Sequence, residues 1–349
     1  MGLAASIEPY VLKFKKPATT SRGAFEDRTI WVLKIWNKRQ PKIIGMGECA
    51  PLKGMSIDDK PDYFQKLENL VKAINLGKNI ADYKFNLNLY PSIKFGLETA
   101  LLDLKNGGNQ IIFNNFYAIG KQGLPINGLV WMSDFEDMKA EAIQKIENGF
   151  DCIKLKVGAI EFDKELELLK IIRAHPKGKD ILLRLDANGA FLPSNALQKL
   201  TQLAAYNIHS IEQPIKQRQW EEMKQLIAKS PIAIALDEEL IGVDLEKDME
   251  VLLKTMAPNY IVLKPNLLGG FVKTEQWIRL AERLNIGWWL TSALEGNIGL
   301  NAIAQFAASV HPKLHSGLGT GKLYANNLTP NTRINEGILW RDIGHKISD

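Results

Sequence analysis

Cysteine is almost absent: Cys49 and Cys152 are the only two in 349 residues. That excludes a disulfide-stapled scaffold and a four-cysteine zinc site. No uninterrupted apolar run reaches the roughly 18 residues that a membrane-spanning helix needs, so no membrane partner is expected. The first residues, Met-Gly-Leu-Ala-Ala-Ser, have no basic stretch leading into an apolar one. A signal peptide is therefore not expected there, and a reducing, cytoplasmic setting is. Charge of one sign is also scarce. The 44 basic and 39 acidic residues leave a net +5, spread along the chain, which suits a small anionic substrate and not nucleic acid. No Gly-x-Ser-x-Gly and no His-Glu-x-x-His occurs, which argues against serine hydrolases and zincins. What is present is ordinary for a globular enzyme: 46% hydrophobic and 24% charged residues, enough to bury a core and too apolar for disorder.

The first third reads as strands and then helices. Residues 10–15 alternate as a half-buried strand should, 29–36 and 42–47 follow as strands, and 17–27 between the first two reads as a polar loop. Helical patterns cover 61–76 and 92–104, the second closed by Asn106-Gly107-Gly108. This texture predicts an α+β unit over residues 1–120. From there strand and helix alternate. Strands are predicted at 126–132, 152–157, 181–186, 208–212, 232–237, 260–264 and 286–291, with a weaker eighth at 314–317. Helices lie between them at 134–148, 161–174, 194–206, 217–229, 245–254, 272–284 and 298–310. The pattern predicts an α/β fold, a (β/α)8-type TIM barrel, over residues 121–320. The segment 321–349 has no place in the barrel and is expected to return to the first unit.

The central barrel strands are apolar and each ends in a charge: Asp186, Glu212, Asp237 and Lys264, spaced 26, 25 and 27 residues apart. In a barrel these side chains sit on neighbouring strands at the C-terminal rim, where barrel active sites lie. Three converging carboxylates repel unless something neutralises them, and a hard divalent cation does so: Mg2+, with Mn2+ as the alternative. Lys154 and Lys156 are two residues apart, so both amines face the barrel interior while Ile153, Leu155 and Val157 face away. Each is expected to depress the other's pKa, leaving one amine able to act as a base, with Lys264 facing them across the barrel. Such a set suits removal of a proton next to a carboxylate and stabilisation of the resulting enediolate.

The ordered set Lys154-Leu155-Lys156, Asp186-Ala187-Asn188-Gly189, Glu212-Gln213-Pro214, Leu236-Asp237-Glu238 and Leu263-Lys264-Pro265 resembles the enolase superfamily, muconate lactonizing subgroup. Residues 45–51, Gly-Met-Gly-Glu-Cys-Ala-Pro, resemble the third strand of that family's capping domain and the loop after it, so the likeness spans almost the whole chain. It implies an N-terminal α+β capping domain and Mg2+ bound by Asp186, Glu212 and Asp237. It also implies Lys156 and Lys264 as acid/base lysines on opposite faces of the substrate, Lys154 tuning Lys156, and Asn188 in the polar shell around the metal. Arg184, two residues before the first ligand, resembles the Arg-x-Asp-x-Asn pattern of the o-succinylbenzoate synthases in that subgroup, which implies a substrate contact and a dehydration. Racemisation or epimerisation of N-acylamino acids or dipeptides, and cycloisomerisation, are the alternatives on the same scaffold. Dipeptide epimerases usually carry an Asp-x-Asp after the eighth strand, whereas residues 316–321 here read Ser-Gly-Leu-Gly-Thr-Gly. Backbone amides of this run, Gly319 among them, are expected to meet a substrate carboxylate. Ser292, after the seventh strand, resembles the subgroup's serine-rich segment. Residues 19–25 correspond to a loop that covers the barrel mouth in the family, and there Arg22 is expected to meet the anionic substrate. Oligomeric state is not readable from these features.

Overall fold

The computed structural model describes residues 2–20, 23–79, 87–328 and 332–343. It opens with a three-stranded antiparallel sheet in the order β1 (Leu3–Thr20), β2 (Gly23–Asn37), β3 (Gln40–Cys49). The polar loop expected over 17–27 is instead strand. Ala18 pairs with Phe25 and Thr20 with Gly23, beyond an irregularity after Lys13. Cross-strand backbone hydrogen bonds do not depend on side-chain polarity, so a polar stretch can still be paired. Ser21 and Arg22, and with them the expected Arg22 contact, lie outside the described residues.

One face of the sheet carries Leu33 and Ile35, two residues apart, and packs on helices α1 (Tyr63–Asn75) and α2 (Pro91–Lys105). The apolar stripe of α1 is Tyr63, Leu67, Leu70 and Ile74, at helical spacing. The approach of β3 to α2 requires glycine: a Cβ built on Gly47 would land on the carbonyl of Gly96, and one on Gly45 on the carbonyl of Ala100.

Next come two short strands, β4 (Leu124–Pro125) and β5 (Gly128–Val130), and the alternation begins with α3 (Phe135–Glu147), capped by the Asp134 carboxylate on the Asp137 amide at 2.9 Å. It continues through β6 (Cys152–Lys156), α4 (Phe162–Ala174), β7 (Leu182–Asp186), α5 (Pro193–Leu203), β8 (Ile208–Glu212) and α6 (Trp220–Lys229). Then follow β9 (Ile234–Leu236), α7 (Glu246–Met256), β10 (Tyr260–Leu263), the single turn α8 (Pro265–Leu268), α9 (Phe271–Arg283), β11 (Gly287–Leu290) and α10 (Asn297–Val310). Strands β5 to β11 form one parallel sheet in sequence order. Their outward side chains, such as Ile153, Leu155, Leu183 and Leu185, enter the core shared with the helices.

No full eighth strand forms at 314–317. Two residues do its work: Ser316 bridges to Ile126 and Gly317 to Thr291, both in parallel, so the segment joins the two edges of the sheet. The chain then turns back. Tyr324 bridges to Phe14 of β1, and the Asn326 side chain accepts from the Lys13 amide at 2.7 Å. Last, β12 (Thr332–Asn335) and β13 (Ile338–Arg341) form a small sheet with β4. No helix among the described residues is long and apolar enough to cross a membrane.

A test of the β3–α2 contact follows. Gly47→Ala forces strand and helix apart and is expected to cost about 3 kcal/mol, the upper end of overpacking penalties, read as a lowered denaturation midpoint at unchanged slope.

Candidate active site

The parallel register brings the charges to one level. Lys156 lies opposite Asp186, and Asp186 opposite Glu212, across β6, β7 and β8. Asp237 and Lys264 follow the ends of β9 and β10. Asp186, Glu212, Asp237, Lys154 and Lys264 are all buried. The Lys154 ammonium bridges two carboxylates, 2.8 Å from Asp186 Oδ2 and 2.7 Å from Glu212 Oε2. Lys156 Nζ donates to Asp186 Oδ2 at 2.5 Å and to Asn188 Oδ1 at 2.6 Å. Lys264 pairs with Asp237 and lies 3.9 Å from Glu212 Oε1. Asn188 in turn donates to Glu238 Oε1 at 3.1 Å. Glu238 thus joins the cluster, a carboxylate that the spacing argument passed over although it stands directly after Asp237 in the chain.

Four carboxylates therefore face three ammonium groups. Burial works against ionised Asp186, but Lys154, Lys156 and Lys264 outweigh it and hold this carboxyl well below the usual range. Glu212 is pushed up to about 8 by burial and by Asp186 beside it. Burial also raises Asp237, against the pull of Lys264. For Lys154 the expected mutual depression of the two lysines is overturned. Burial lowers its pKa, but Asp186 and Glu212, both in direct contact with it, reverse this and hold the ammonium charged above the ordinary lysine range. Burial likewise opposes the charge on Lys264, and Asp237, Glu212 and Glu238 hold it protonated.

Among the described residues no three His, Cys, Asp or Glu side chains are gathered tightly enough to hold an ion as they stand; the ammonium groups of Lys154 and Lys264 lie between the carboxylates. The donor set nevertheless fits a hard cation: all oxygen, on adjacent strands, with four carboxyl groups to three amines, and with Glu212 Oε1 buried and lacking a hydrogen bond.

Above the cluster is a cavity whose walls include Lys154, Lys156, Asp186, Asn188 and Lys264. Ser292 and Gly319, expected to meet substrate, are on its wall, and Thr320 joins them with its hydroxyl 2.6 Å from that of Ser292. Leu52 and Met55 close it from the cap. Arg184 does not reach it. That side chain is buried one inward position below Asp186, about 6–7 Å down the strand at some 3.3 Å per residue. There its guanidinium stacks 4.0 Å from the Trp289 ring and donates to the His315 carbonyl at 2.7 Å. Sequence reasoning placed the first barrel strand but passed over the residues that it and its flanks supply to the cavity, Asn127, Leu129 and Trp131. The two-residue spacing was the available signal, with Ile126 and Val130 turned to the core. The Lys156 ammonium sits 5.9 Å from the Trp131 ring centre, within cation–π range.

Replacing Lys154 tests the charge balance. Lys154→Met leaves Asp186 and Glu212 facing each other in the interior, and breaking a buried pair in this way costs about 3–5 kcal/mol. Denaturation followed between pH 8 and pH 5 should show the loss shrinking toward acid, because the carboxyls can then take up protons.

Comparison with known proteins bears on this site. The family model described as Enolase C-terminal domain-like matches residues 137–341. The chain is 41% identical to an o-succinylbenzoate synthase of Desulfotalea psychrophila, covering 97% of this chain and 99% of that one. It is similar to the crystal structure of MenC from Desulfotalea psychrophila LSv54, with TM-score 0.85, 38% identity, and 97% and 100% of the two chains covered. The fold also matches a dipeptide epimerase from Enterococcus faecalis V583 complexed with Mg and the dipeptide L-Leu-L-Tyr, at TM-score 0.80 and 22% identity, over 98% and 97% of the two chains.

Proposed function

Because the chain belongs to the Enolase C-terminal domain-like family, we propose that it catalyses the Mg2+-dependent syn-dehydration of 2-succinyl-6-hydroxy-2,4-cyclohexadiene-1-carboxylate to o-succinylbenzoate. It is a carbon-oxygen lyase, as is the synthase it resembles over 97% of its length. The observation that carries the residue roles is the placing of Lys156 and Lys264 on the wall of one cavity, directly above a cluster of buried carboxylates.

Asp186, Glu212 and Asp237 would hold the Mg2+, which when bound supplies positive charge to the substrate carboxylate and so acidifies the adjacent C–H. Lys156 removes that proton from the ring carbon, and the electron pair moves into the carboxylate. The pair then returns to the ring, the C–O bond at the neighbouring carbon breaks, and the proton now on Lys156 leaves with the hydroxyl as water. One residue serves as base and acid on one face, which is what a syn elimination needs. Asn188, accepting a hydrogen bond from Lys156 Nζ, aims the amine. Lys264 needs only its charge: paired with Asp237, it presents a cation to the electron-rich intermediate from across the cavity. Lys154, held between Asp186 and Glu212, fixes both carboxylates in place. Ser292, Gly319 and Thr320 line the same cavity, and their polar groups suit the carboxylate of the succinyl arm. Residues 316–321 contain no acid to receive an ammonium group, which disfavours dipeptide epimerisation.

The test is direct. Purified protein with Mg2+ and the cyclohexadiene substrate should generate the ultraviolet absorbance of the aromatic product. Exhaustive chelation should abolish it, and full activity after chelation overturns the metal assignment. Lys156→Ala is expected to lose essentially all turnover, at least the roughly 10²–10⁴-fold that a positioned general base supplies. Lys264→Arg keeps a cation and should retain partial dehydration, yet cannot support proton exchange on an N-acylamino acid, because arginine is not deprotonated. A Lys156→Ala protein that still dehydrates, alongside inactive Lys264 variants, would reverse the two roles.

A further inference from the structure

Arg28 lies on β2, in the cap, and takes no part in the chemistry above. It is nevertheless buried, and its guanidinium reaches into the junction of cap and barrel. Nη1 donates to the carbonyls of Ala293 and Leu294, the latter at 2.5 Å, and Nη2 donates to the Ala50 carbonyl at 2.5 Å. Ala293 and Leu294 belong to the barrel wall of the cavity. Ala50 begins the cap segment whose Leu52 and Met55 form the opposing wall. One planar fork thus holds the backbone of both walls at a fixed separation, a geometry that a lysine cannot reproduce.

The held backbone is also unusual. Leu294 has φ 62, a left-handed conformation that a leucine keeps only where its surroundings enforce it. Its carbonyl receives a second donor, the Tyr324 hydroxyl at 2.6 Å. The Ala50 carbonyl receives one too, from Asn266 Nδ2 at 2.7 Å, two residues beyond Lys264. Around this point Leu52, Met55 and Ile57 pack on Ile241, Leu267 and Ala293. The polar struts and the apolar contact converge where the two cavity walls meet.

We propose that Arg28 is a positioning residue that clamps the cap wall and the barrel wall of the substrate cavity together, with Tyr324 sharing the hold on Leu294; its effect on turnover rests on the reaction proposed above. The experiment compares Tyr324→Phe and Arg28→Lys with the unaltered protein. Steady-state dehydration in the presence of Mg2+ is measured together with amide hydrogen exchange of the ligand-free protein. Loss of one hydrogen bond in Tyr324→Phe should raise KM about 3-fold, and loss of the bidentate fork in Arg28→Lys about 10-fold or more, with kcat falling less in each. Amides of residues 292–296 should exchange faster in both variants while those of β6 to β10 stay protected. A folded Arg28→Lys protein with unchanged KM and unchanged exchange at 292–296 overturns the proposal. So does a parallel fall in kcat and thermal stability with KM unmoved, which is the mark of a merely structural residue. Should Arg28→Lys fail to fold, Tyr324→Phe decides by the same two measurements. If the unaltered protein does not turn over the substrate, the functional reading fails, and the exchange at 292–296 still decides the clamp.

Discussion

Everything at the mouth of this barrel depends on answering buried charge with buried charge. Asp186, Glu212 and Asp237 cannot sit within the protein as free anions, since an unpaired charge in the interior costs several kcal/mol or shifts its pKa until it is neutral. The parallel register solves this by setting Lys156, Asp186 and Glu212 side by side, with Lys154 reaching up between the two acids. The solution requires rigid strands, and the outward rows of leucine and isoleucine supply the rigidity by locking each strand to its helix. Because the match is incomplete, with four carboxyl groups to three amines and Glu212 Oε1 without a hydrogen bond, the same arrangement that makes the fold possible leaves a donor for a cation.

That logic explains what could be read beforehand. A charge that ends an apolar strand, repeated at the length of one β/α unit, has few structural excuses, so Asp186, Glu212, Asp237 and Lys264 were visible as a set. The helices of both units were visible too, because burial on one face imposes a period that composition cannot hide: Tyr63, Leu67, Leu70 and Ile74 are the example. The failures have physical causes of a different kind. Residues 18–20 pair with 23–25 through the backbone, and such pairing is invisible to a polarity pattern. The eighth strand consists of two bridging residues, too few for any periodicity. Arg184 is adjacent to Asp186 in motif but sits a layer deeper, so nearness in sequence did not mean nearness to the cavity. Asn127, Leu129 and Trp131 bear no charge and therefore drew no attention, although their alternation already placed them on one face. Lys154 and Lys156 were placed correctly on one face, but Lys154 is held charged, because the acids that face it come from two other strands.

Cap and barrel meet through contacts of opposite character. Inside the cap, Gly45 and Gly47 let a strand lie against α2 with nothing between them. Across the junction the contact is polar as well as apolar: Glu48 accepts from the amides of Gly296 and Gly299 at 2.7 and 2.9 Å, at the start of α10, while Leu52, Met55 and Ile57 pack on Ile241, Leu267 and Ala293. The Glu48 carboxyl is raised to about 7, chiefly by burial. The cap is thus internally tight, and its junction with the barrel joins directional hydrogen bonds to apolar packing, with Phe95 of α2 entering the barrel core against Phe271.

The closure of the ring has a consequence for how the molecule fluctuates. Ser316 and Gly317 join its edges through a handful of bonds, among them Asn127 N–H to the Ser316 carbonyl at 3.0 Å and Ser292 N–H to the Gly317 carbonyl at 3.1 Å. Each of the other neighbouring strands is backed by a helix and a longer ladder, so the seam is where the cylinder opens at least cost. Its flanks, Asn127, Ser292 and Gly319, are walls of the cavity. Thermal parting of the seam and widening of the cavity are then a single motion, and a molecule that fills the cavity acts as a rivet on the barrel itself.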